Sequence, residues 1–166
     1  MSVAHSVRNI LRKISTELIN CGIEESRLES ELILMECLEV SRSKLYTMQE
    51  YELSESHMSS ANEYLHRRLH REPWPYISGH KEFYGLDIMV ESGVFIPRPE
   101  TELIVDTCLN IIKSMSPNHQ IKIVDACTGS GAVAIAIGKQ VSSAQIYATE
   151  ISDSALKMAK RNLYSH

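Results

Sequence analysis

The alternation of secondary-structure patterns over residues 121–163 constrains the fold of this chain more than any other feature. Residues 121–125 and 145–149 are short runs of β-forming residues, and the stretch AVAIAIG that starts at residue 132 is apolar on every side. A second helical pattern covers residues 152–163. Strands that alternate with helices predict a parallel sheet with right-handed crossovers. We therefore expect an α/β unit in this part of the chain.

The turn between the first strand and its helix reads DACTGSG, residues 125–131. Glycine at Gly129 and Gly131 permits positive φ and close approach of a ligand, while the helix N-terminus presents unpaired N–H groups. Glu150 ends the next strand, where a carboxylate can accept hydrogen bonds from a ribose diol. The arrangement predicts a ligand that contains adenosine. The alternative is an ordinary strand–helix turn with an incidental glutamate.

Two classes of cofactor suit such a turn. Gly129, Gly131 and Ala134 satisfy the pattern GxGxxA, which is typical of nicotinamide and flavin dinucleotide sites. Asp125 argues against a dinucleotide, because its carboxylate would repel the anionic pyrophosphate. The same carboxylate would attract a cationic sulfonium or an α-ammonium group. Asp125 therefore favours S-adenosylmethionine.

The chain before residue 73 is predicted to be a helical bundle. Apolar residues recur there at helical spacing in three stretches, with Gly22 placed to end the first helix and Ser54 to cap the third. The first stretch contains Val3, Val7, Ile10, Leu11, Ile14 and Leu18, the second Leu28, Leu32, Met35 and Leu38, and the third Met58, Ala61, Leu65 and Leu69.

The composition changes after the bundle. Residues 80–96, HKEFYGLDIMVESGVFI, hold β-forming residues around two turn signals, and they predict a β-hairpin. Two prolines stiffen the chain that follows it. A helix is then predicted from Glu100 to a break at residues 116–118.

Bulk composition narrows the classes of function. The net charge of −4 argues against a dedicated nucleic-acid binder, which is usually strongly basic. The 4 cysteines are scattered without a CxxC pair, as expected of reduced thiols in a cytoplasmic protein. No apolar run has the length of a membrane span. His66 and His70 stand one helical turn apart, but the basic stretch around them disfavours a metal site, so no metal is expected.

Residues 71–106, REPWPYISGHKEFYGLDIMVESGVFIPRPETELIVD, resemble the signature of the HemK/PrmC family. The similarity continues through IVDACTGSGAVAIAIGK and ATEISDSALKMAKRN, and ESELILMECL in the N-terminal part is similar too. The combination FYG…IPRPET is specific to the family, whereas the glycine turn is shared by many methyltransferases. The resemblance implies S-adenosylmethionine-dependent methylation of the glutamine in the Gly-Gly-Gln motif of class-1 peptide chain release factors.

The resemblance also implies a domain organisation of the α + α/β class. A helical substrate-recognition domain is expected over residues 1–73, a β-hairpin and linker over residues 74–99, and a partial S-adenosylmethionine-binding domain over residues 100–166. The last of these would be an incomplete Rossmann-like class I methyltransferase sheet. The implied partner is the release factor itself, with no direct contact to nucleic acid or membrane.

Site residues follow from the resemblance by position. The residues expected around the cofactor are Asp125, Cys127, Thr128, Gly129, Ser130, Gly131 and Glu150. A substrate-side wall is expected from Phe95, Pro97, Arg98, Glu100 and Thr101. The spacing of the prolines alone is equally typical of a rigid linker, and only the resemblance favours the wall.

The chain departs from the family pattern in two ways. The family usually has glycine at the position of Cys127, and a required positive φ there would cost about 1 kcal/mol. The family's Asn-Pro-Pro-Tyr motif, which positions the substrate amide, does not occur in these 166 residues. No catalytic residue is therefore assigned, and the isolated chain is expected to be inactive.

Without further strands, the strand at residues 121–124 would keep one edge unpaired, and such an edge invites pairing with another chain. The sequence thus leaves three hypotheses open. The first is a glutamine methyltransferase fragment. The second is a non-catalytic binding module for a translation factor, with an oligomer or a partner chain completing the sheet. The third is a fragment of a nicotinamide-dependent oxidoreductase.

Overall fold

The computed structural model describes residues 5–115 and 121–166, and the chain divides into two compact units between Ser78 and Gly79. The first unit is helical, and the second combines helices with two small sheets. Over these described ranges, no helix is both long and apolar enough to cross a membrane.

The first unit contains the three predicted helices, which are α1 (Val7–Asn20), α2 (Ser26–Leu38) and α4 (Glu55–Leu69). It also has two short helices that were not predicted, α3 (Arg42–Thr47) and α5 (Trp74–Ser78). Gly22 follows α1 with φ 69°, and the hydroxyl of Ser54 caps α4 by accepting the His57 N–H at 3.2 Å, so both predicted helix boundaries are confirmed. Val3, the first residue of the predicted stripe, lies outside the described residues.

An apolar core holds this unit together. Its fully or nearly fully buried members include Val7, Ile10, Ile14, Leu18, Ile33, Leu34, Leu45, Ala61 and Leu65. The stripe predicted on α2 is confirmed only in part, because Met35 and Leu38 pack against this core while Leu28 is exposed and Ile33 and Leu34, outside the stripe, are buried. The physical reason is that α2 packs against both α1 and α4 and buries residues on two sides.

A buried carboxylate stands beside this core. The side chain of Glu31 is 3% exposed, accepts the Tyr46 hydroxyl at 2.6 Å and accepts the Arg42 Nε–H at 2.7 Å. Burial raises the pKa of Glu31, but the hydrogen bonds from Tyr46 and Arg42 and the charge of Arg42 lower it by more. The net pKa therefore lies below the ordinary value of 4.5, and the ionised form stabilises the fold.

Replacing Glu31 by glutamine is expected to lower the free energy of unfolding at pH 7 by about 1 kcal/mol, because the charge-assisted hydrogen bond to Arg42 is lost. The loss stays small because the Arg42 side chain is exposed to solvent. The stabilisation by Glu31 is fully present above the unfolded-state pKa and is lost as pH falls through the lower folded-state pKa. The deficit of the variant should therefore shrink below pH 4.5. Urea denaturation at several pH values measures it, with the exposed Glu24→Gln as control. A deficit that stays constant with pH would contradict the assignment.

The second unit begins with a short antiparallel hairpin. β1 (His80–Phe83) pairs with β2 (Leu86–Met89), with Phe83 opposite Leu86. The prediction that the hairpin extends to residue 96 is wrong, because β1 supplies only four residues to pair with. The second turn signal, Ser92-Gly93, forms a separate turn in which the Val94 N–H donates to the Glu91 carbonyl oxygen at 3.0 Å.

The helix predicted from Glu100 begins slightly later. Pro99–Thr101 forms a 3-10 turn, and α6 (Glu102–Ser114) follows it. The fixed φ of proline suits the first turn of a helix, which explains the tight start. The predicted break at residues 116–118 lies outside the described residues.

The predicted strand–helix alternation is confirmed. β3 (Lys122–Ala126) pairs in parallel with β4 (Gln145–Thr149), with α7 (Ala132–Gln140) between them in sequence and α8 (Asp153–Ser165) after them. Asp125 lies opposite Ala148. The carboxyl ends of the two parallel strands therefore meet at one edge of the sheet, beside the glycine turn.

Candidate functional site

Backbone hydrogen bonds hold the turn between β3 and α7 in one conformation. The Thr128 N–H donates to the Thr149 carbonyl oxygen at 2.9 Å, and the Gly131 N–H donates to the Thr128 carbonyl oxygen at 2.9 Å. Cys127, Gly129 and Gly131 have φ values of 62°, 59° and 85°. The turn thus takes the left-handed conformation at three positions, and glycine occupies two of them without strain.

The Glu150 carboxylate fastens this turn to the end of β4. Its Oε2 accepts the Gly129 N–H at 2.8 Å, and its Oε1 accepts the Ile151 N–H at 2.9 Å and the Ser152 N–H at 3.1 Å. Hydrogen bonds from the backbone of Ser152, Gly129 and Ile151 hold the pKa of Glu150 below its ordinary value, against a smaller opposing effect of burial. Glu150 is therefore ionised at neutral pH.

A second carboxylate lies at the end of β3. The Thr128 hydroxyl donates to Asp125 Oδ2 at 2.5 Å, which fixes the orientation of that carboxylate. Asp125 and Glu150 line the same cavity. A site with two carboxylates at the carboxyl ends of neighbouring parallel strands suits a ligand that carries positive charge and hydroxyl donors.

The cavity has a volume of about 420 Å³, which is within the range of small-molecule sites. All of its lining residues belong to the second unit. They are Gly93, Phe95, Pro97, Thr101, Ile104, Asp125, Ala126, Cys127, Thr128, Gly129, Ser130, Ala132, Val133, Glu150, Ser152 and Ala155.

The structure brings most of the predicted cofactor residues together. Asp125, Cys127, Thr128, Gly129, Ser130 and Glu150 all line the cavity. Gly131 does not line it, because this glycine packs against α8. A Cβ atom built on Gly131 would lie 3.2 Å from the Ala159 Cβ and 3.2 Å from the Ile135 Cδ1. Gly131 thus permits close helix packing and only indirectly shapes the cavity.

The predicted wall residues are divided between two places. Phe95, Pro97 and Thr101 line the cavity. Arg98 lies beside it, with its guanidinium carbon 5.6 Å from the centroid of the Phe95 ring. Glu100 instead lines a separate apolar groove between α6 and β3.

Sequence reasoning missed Ser152, Ala155 and Asn162. Ser152 donates its N–H to Glu150 and caps α8 by accepting the Ala155 N–H at 3.4 Å. Asn162 is fully buried and binds the carbonyl oxygen of Ser130 in the turn. A signal for Asn162 was present, because it follows Ala155, Met158 and Ala159 at helical spacing and is the polar member of that apolar face.

Cys127 takes a backbone conformation that side chains disfavour. Its φ is 62°, and a positive φ at this position was predicted to cost strain energy for any residue other than glycine. Its thiol is exposed and forms no disulfide. The chain therefore carries local strain at the floor of the cavity.

Replacing Cys127 by glycine is expected to raise the free energy of unfolding by about 0.5–1 kcal/mol, since relief of left-handed strain exceeds the entropy cost of glycine. Chemical denaturation measures the change. Cys127→Ala is the matched control, because it removes the thiol but keeps the Cβ atom and hence the strain. If Cys127→Ala stabilises as much as Cys127→Gly, the thiol and not the backbone is the cause.

Among residues 5–115 and 121–166, no group of three or more His, Cys, Asp or Glu side chains could hold a metal ion. His66 and His70 lie with their ring centroids 4.3 Å apart, and His70 Nδ1 is 2.8 Å from the His66 carbonyl oxygen. That ring nitrogen is therefore engaged with the backbone of its own helix.

Each of the two units matches the profile of a known protein family. The profile of the PrmC N-terminal domain matches residues 9–79, and that of ribosomal protein L11 methyltransferase (PrmA) matches residues 103–165. The release factor glutamine methyltransferase of Coxiella burnetii is 38% identical over 161 residues, which cover 97% of this chain and 57% of that protein. Over both units the chain therefore resembles the HemK/PrmC family. It is also 37% identical to the enzyme of the same name from Clostridium acetobutylicum over 156 residues, covering 94% of the chain and 54% of the relative.

These relatives are longer than the chain. The release factor glutamine methyltransferase of Geobacter sulfurreducens is 35% identical over 161 residues, which cover 97% of this chain but 55% of that protein. The chain thus spans little more than half the length of these relatives. The PrmA match runs from α6 into α8 and includes the glycine turn and Glu150.

Proposed function

We propose that this chain carries the S-adenosylmethionine-binding part of a protein-glutamine N5-methyltransferase. Its substrate would be the glutamine of the Gly-Gly-Gln motif in a class-1 peptide chain release factor. The observation that carries the proposal is the placement of Asp125 and Glu150 in one cavity floored by the glycine turn. The names of the relatives, release factor glutamine methyltransferase, support the reaction.

The residues of the cavity fit this cofactor chemically. When bound, S-adenosylmethionine supplies an electrophilic methyl group on a cationic sulfonium. Asp125 would face that positive charge or the α-ammonium group, and Glu150 would accept a ribose hydroxyl. Three backbone N–H groups already occupy about three of the four lone-pair positions of Glu150. If Glu150 accepted both ribose hydroxyls, one hydroxyl would take the free lone-pair position, and Oε2 would have to accept the other together with the Gly129 N–H.

The wall and the fold complete this proposal. The parallel pair of β3 and β4 would be the first part of a Rossmann-like class I methyltransferase sheet, and the first unit would recognise the release factor. Phe95, Pro97 and Thr101 would border the place where the substrate glutamine enters, beside the cofactor residues. Because the Asn-Pro-Pro-Tyr motif does not occur in these 166 residues, the chain alone is expected to bind cofactor without transferring a methyl group.

Titration calorimetry of the purified chain tests the cofactor. We expect weak binding of S-adenosylmethionine and S-adenosylhomocysteine, and no binding of NAD under the same conditions. NAD binding alone would instead support the oxidoreductase hypothesis. A radiolabelled methyl-transfer assay with a Gly-Gly-Gln peptide should give no product, and turnover by this chain would show that its catalytic residues have been misplaced.

A second candidate function is a binding module whose sheet is completed by another chain. The observation that favours it is an apolar groove between α6 and β3, with Leu103 69% and Ile104 57% exposed. Val124 on β3 is 67% exposed, and among the described residues no strand other than β4 pairs with β3. An apolar surface beside an unpaired strand edge favours association.

Size-exclusion chromatography with light scattering tests the binding-module candidate by measuring the oligomeric state of the chain. A stable oligomer whose formation is abolished by Val124→Lys would support the binding module. The matched control is Tyr164→Lys on α8, which introduces the same charge on an exposed residue that does not line the groove. A monodisperse monomer over the accessible concentration range would count against it.

A further inference from the structure

Asn162 is a buried polar side chain of the second unit, and the proposed cofactor chemistry leaves it without a role. It lies on α8, and its exposed fraction is 0%. Its Nδ2 donates to the Ser130 carbonyl oxygen at 2.8 Å and to the Met89 carbonyl oxygen at 2.9 Å, while its Oδ1 accepts the Met89 N–H at 2.8 Å. The side-chain amide of Asn162 thus forms three hydrogen bonds, two to Met89 and one to Ser130, which lie in segments distant in sequence.

The two segments are different parts of the candidate site. Ser130 lies in the glycine turn and lines the cavity. Met89 ends β2, and the chain from there reaches the cavity wall at Phe95 within six residues. These segments are separated by 41 residues in sequence, from 89 to 130, and Asn162 is a side chain that bonds to both.

Apolar packing supports the same connection. Val94, Ala155 and Met158 form a buried cluster, with Met89 packed against it. Val94 directly precedes Phe95 of the wall. Helix α8 therefore holds the wall side by packing and by hydrogen bonds, and it holds the turn side through Asn162.

We infer that Asn162 is a positioning residue that fixes the distance between the cofactor turn and the substrate-side wall. This inference rests on the proposed function, because it assumes that the cavity binds S-adenosylmethionine. The physical basis is that a buried amide with every hydrogen bond satisfied tolerates few alternative arrangements. A site held within about 0.5 Å binds its ligand better than a loose one.

Asn162→Asp tests the inference because the side chains have the same shape. The carboxylate still accepts the Met89 N–H but cannot donate to the carbonyl oxygens of Ser130 and Met89. We expect S-adenosylhomocysteine to bind about tenfold more weakly than to wild type at pH 8, which matches the loss of one or two hydrogen bonds. The difference in affinity between wild type and Asn162→Asp should become smaller at pH 5.5. A carboxyl group in a fully buried place protonates readily, and it can then donate one hydrogen bond.

Hydrogen exchange of backbone amides gives a second measurement that needs no cofactor. In Asn162→Asp the amides of Gly129 and Gly131 should exchange faster, while that of Met89 keeps its acceptor and its protection. Ile137→Ala is the matched control, since Ile137 is buried in α7 but does not line the cavity. It should lower global stability without a selective effect on the turn.

Asn162→Ser serves as the second variant, because it introduces no charge and its hydroxyl is too short to reach both segments. Equal losses of affinity and equal exchange patterns in the Asn162 variants and Ile137→Ala would overturn the inference. If wild type itself bound no S-adenosylhomocysteine, the proposed function would fail, and the selective exchange of the turn would still decide the role of Asn162.

Discussion

Replacing Glu150 by alanine is expected to weaken S-adenosylmethionine binding about a hundredfold, since the proposed acceptor of a ribose hydroxyl is lost and the turn loses its anchor. The Gly129, Ile151 and Ser152 N–H groups would all lose the carboxylate that they bond to. Glu150→Gln keeps one acceptor oxygen, and its affinity for S-adenosylmethionine should fall about tenfold. Titration calorimetry at fixed salt and pH measures both variants.

Glu91→Ala is the control for charge, because Glu91 belongs to the same unit but does not line the cavity. Circular dichroism should show that Glu150→Ala stays folded, so that the loss is one of binding. The hydrogen bonds from Ser152, Gly129 and Ile151 lower the pKa of Glu150, so wild-type affinity should hold from neutral pH down to about 4.5 and fall only below it. Unchanged affinity in Glu150→Ala would refute its role as the ribose acceptor.

Much of the second unit could be predicted from sequence because local patterns determine it. The strand predicted at residues 121–125 is observed at Lys122–Ala126, and the strand predicted at residues 145–149 is observed there. Alternation of apolar strands and helices leaves few topologies, and parallel strands place their carboxyl ends together. Asp125 and Glu150 therefore come to one cavity, as their positions in sequence suggested.

The features that could not be predicted depend on the path of the backbone in the turns and on contacts between segments that are distant in sequence. The positive φ of Cys127 follows from the path of the turn and not from the residue type. Arg98 and Glu100 were predicted as wall residues, but the 3-10 turn directs Glu100 to the groove beside α6. The helical spacing of Asn162 indicates that it is buried, but it does not identify the hydrogen-bond partners, because these lie in segments distant in sequence.

The largest effect on stability is expected at Gly131. Gly131→Ala places a Cβ atom 3.2 Å from both the Ala159 Cβ and the Ile135 Cδ1, on a residue whose φ is 85°. Left-handed strain costs about 1–2 kcal/mol and overpacking about 1–3 kcal/mol, so the free energy of unfolding should fall by about 2–5 kcal/mol. Chemical denaturation of the purified variant measures the loss.

Gly129→Ala is the matched control, because Gly129 has φ 59° but a Cβ built on it meets no atom within 4 Å. It should lose only the strain of about 1–2 kcal/mol. The difference between the two variants then measures the contact between the start of α7 and α8. Ala159→Gly should recover part of that difference, with a coupling energy of about 0.5–2 kcal/mol in a double-mutant cycle. Equal losses in Gly129→Ala and Gly131→Ala, with no coupling to Ala159, would mean that strain alone requires glycine at residue 131.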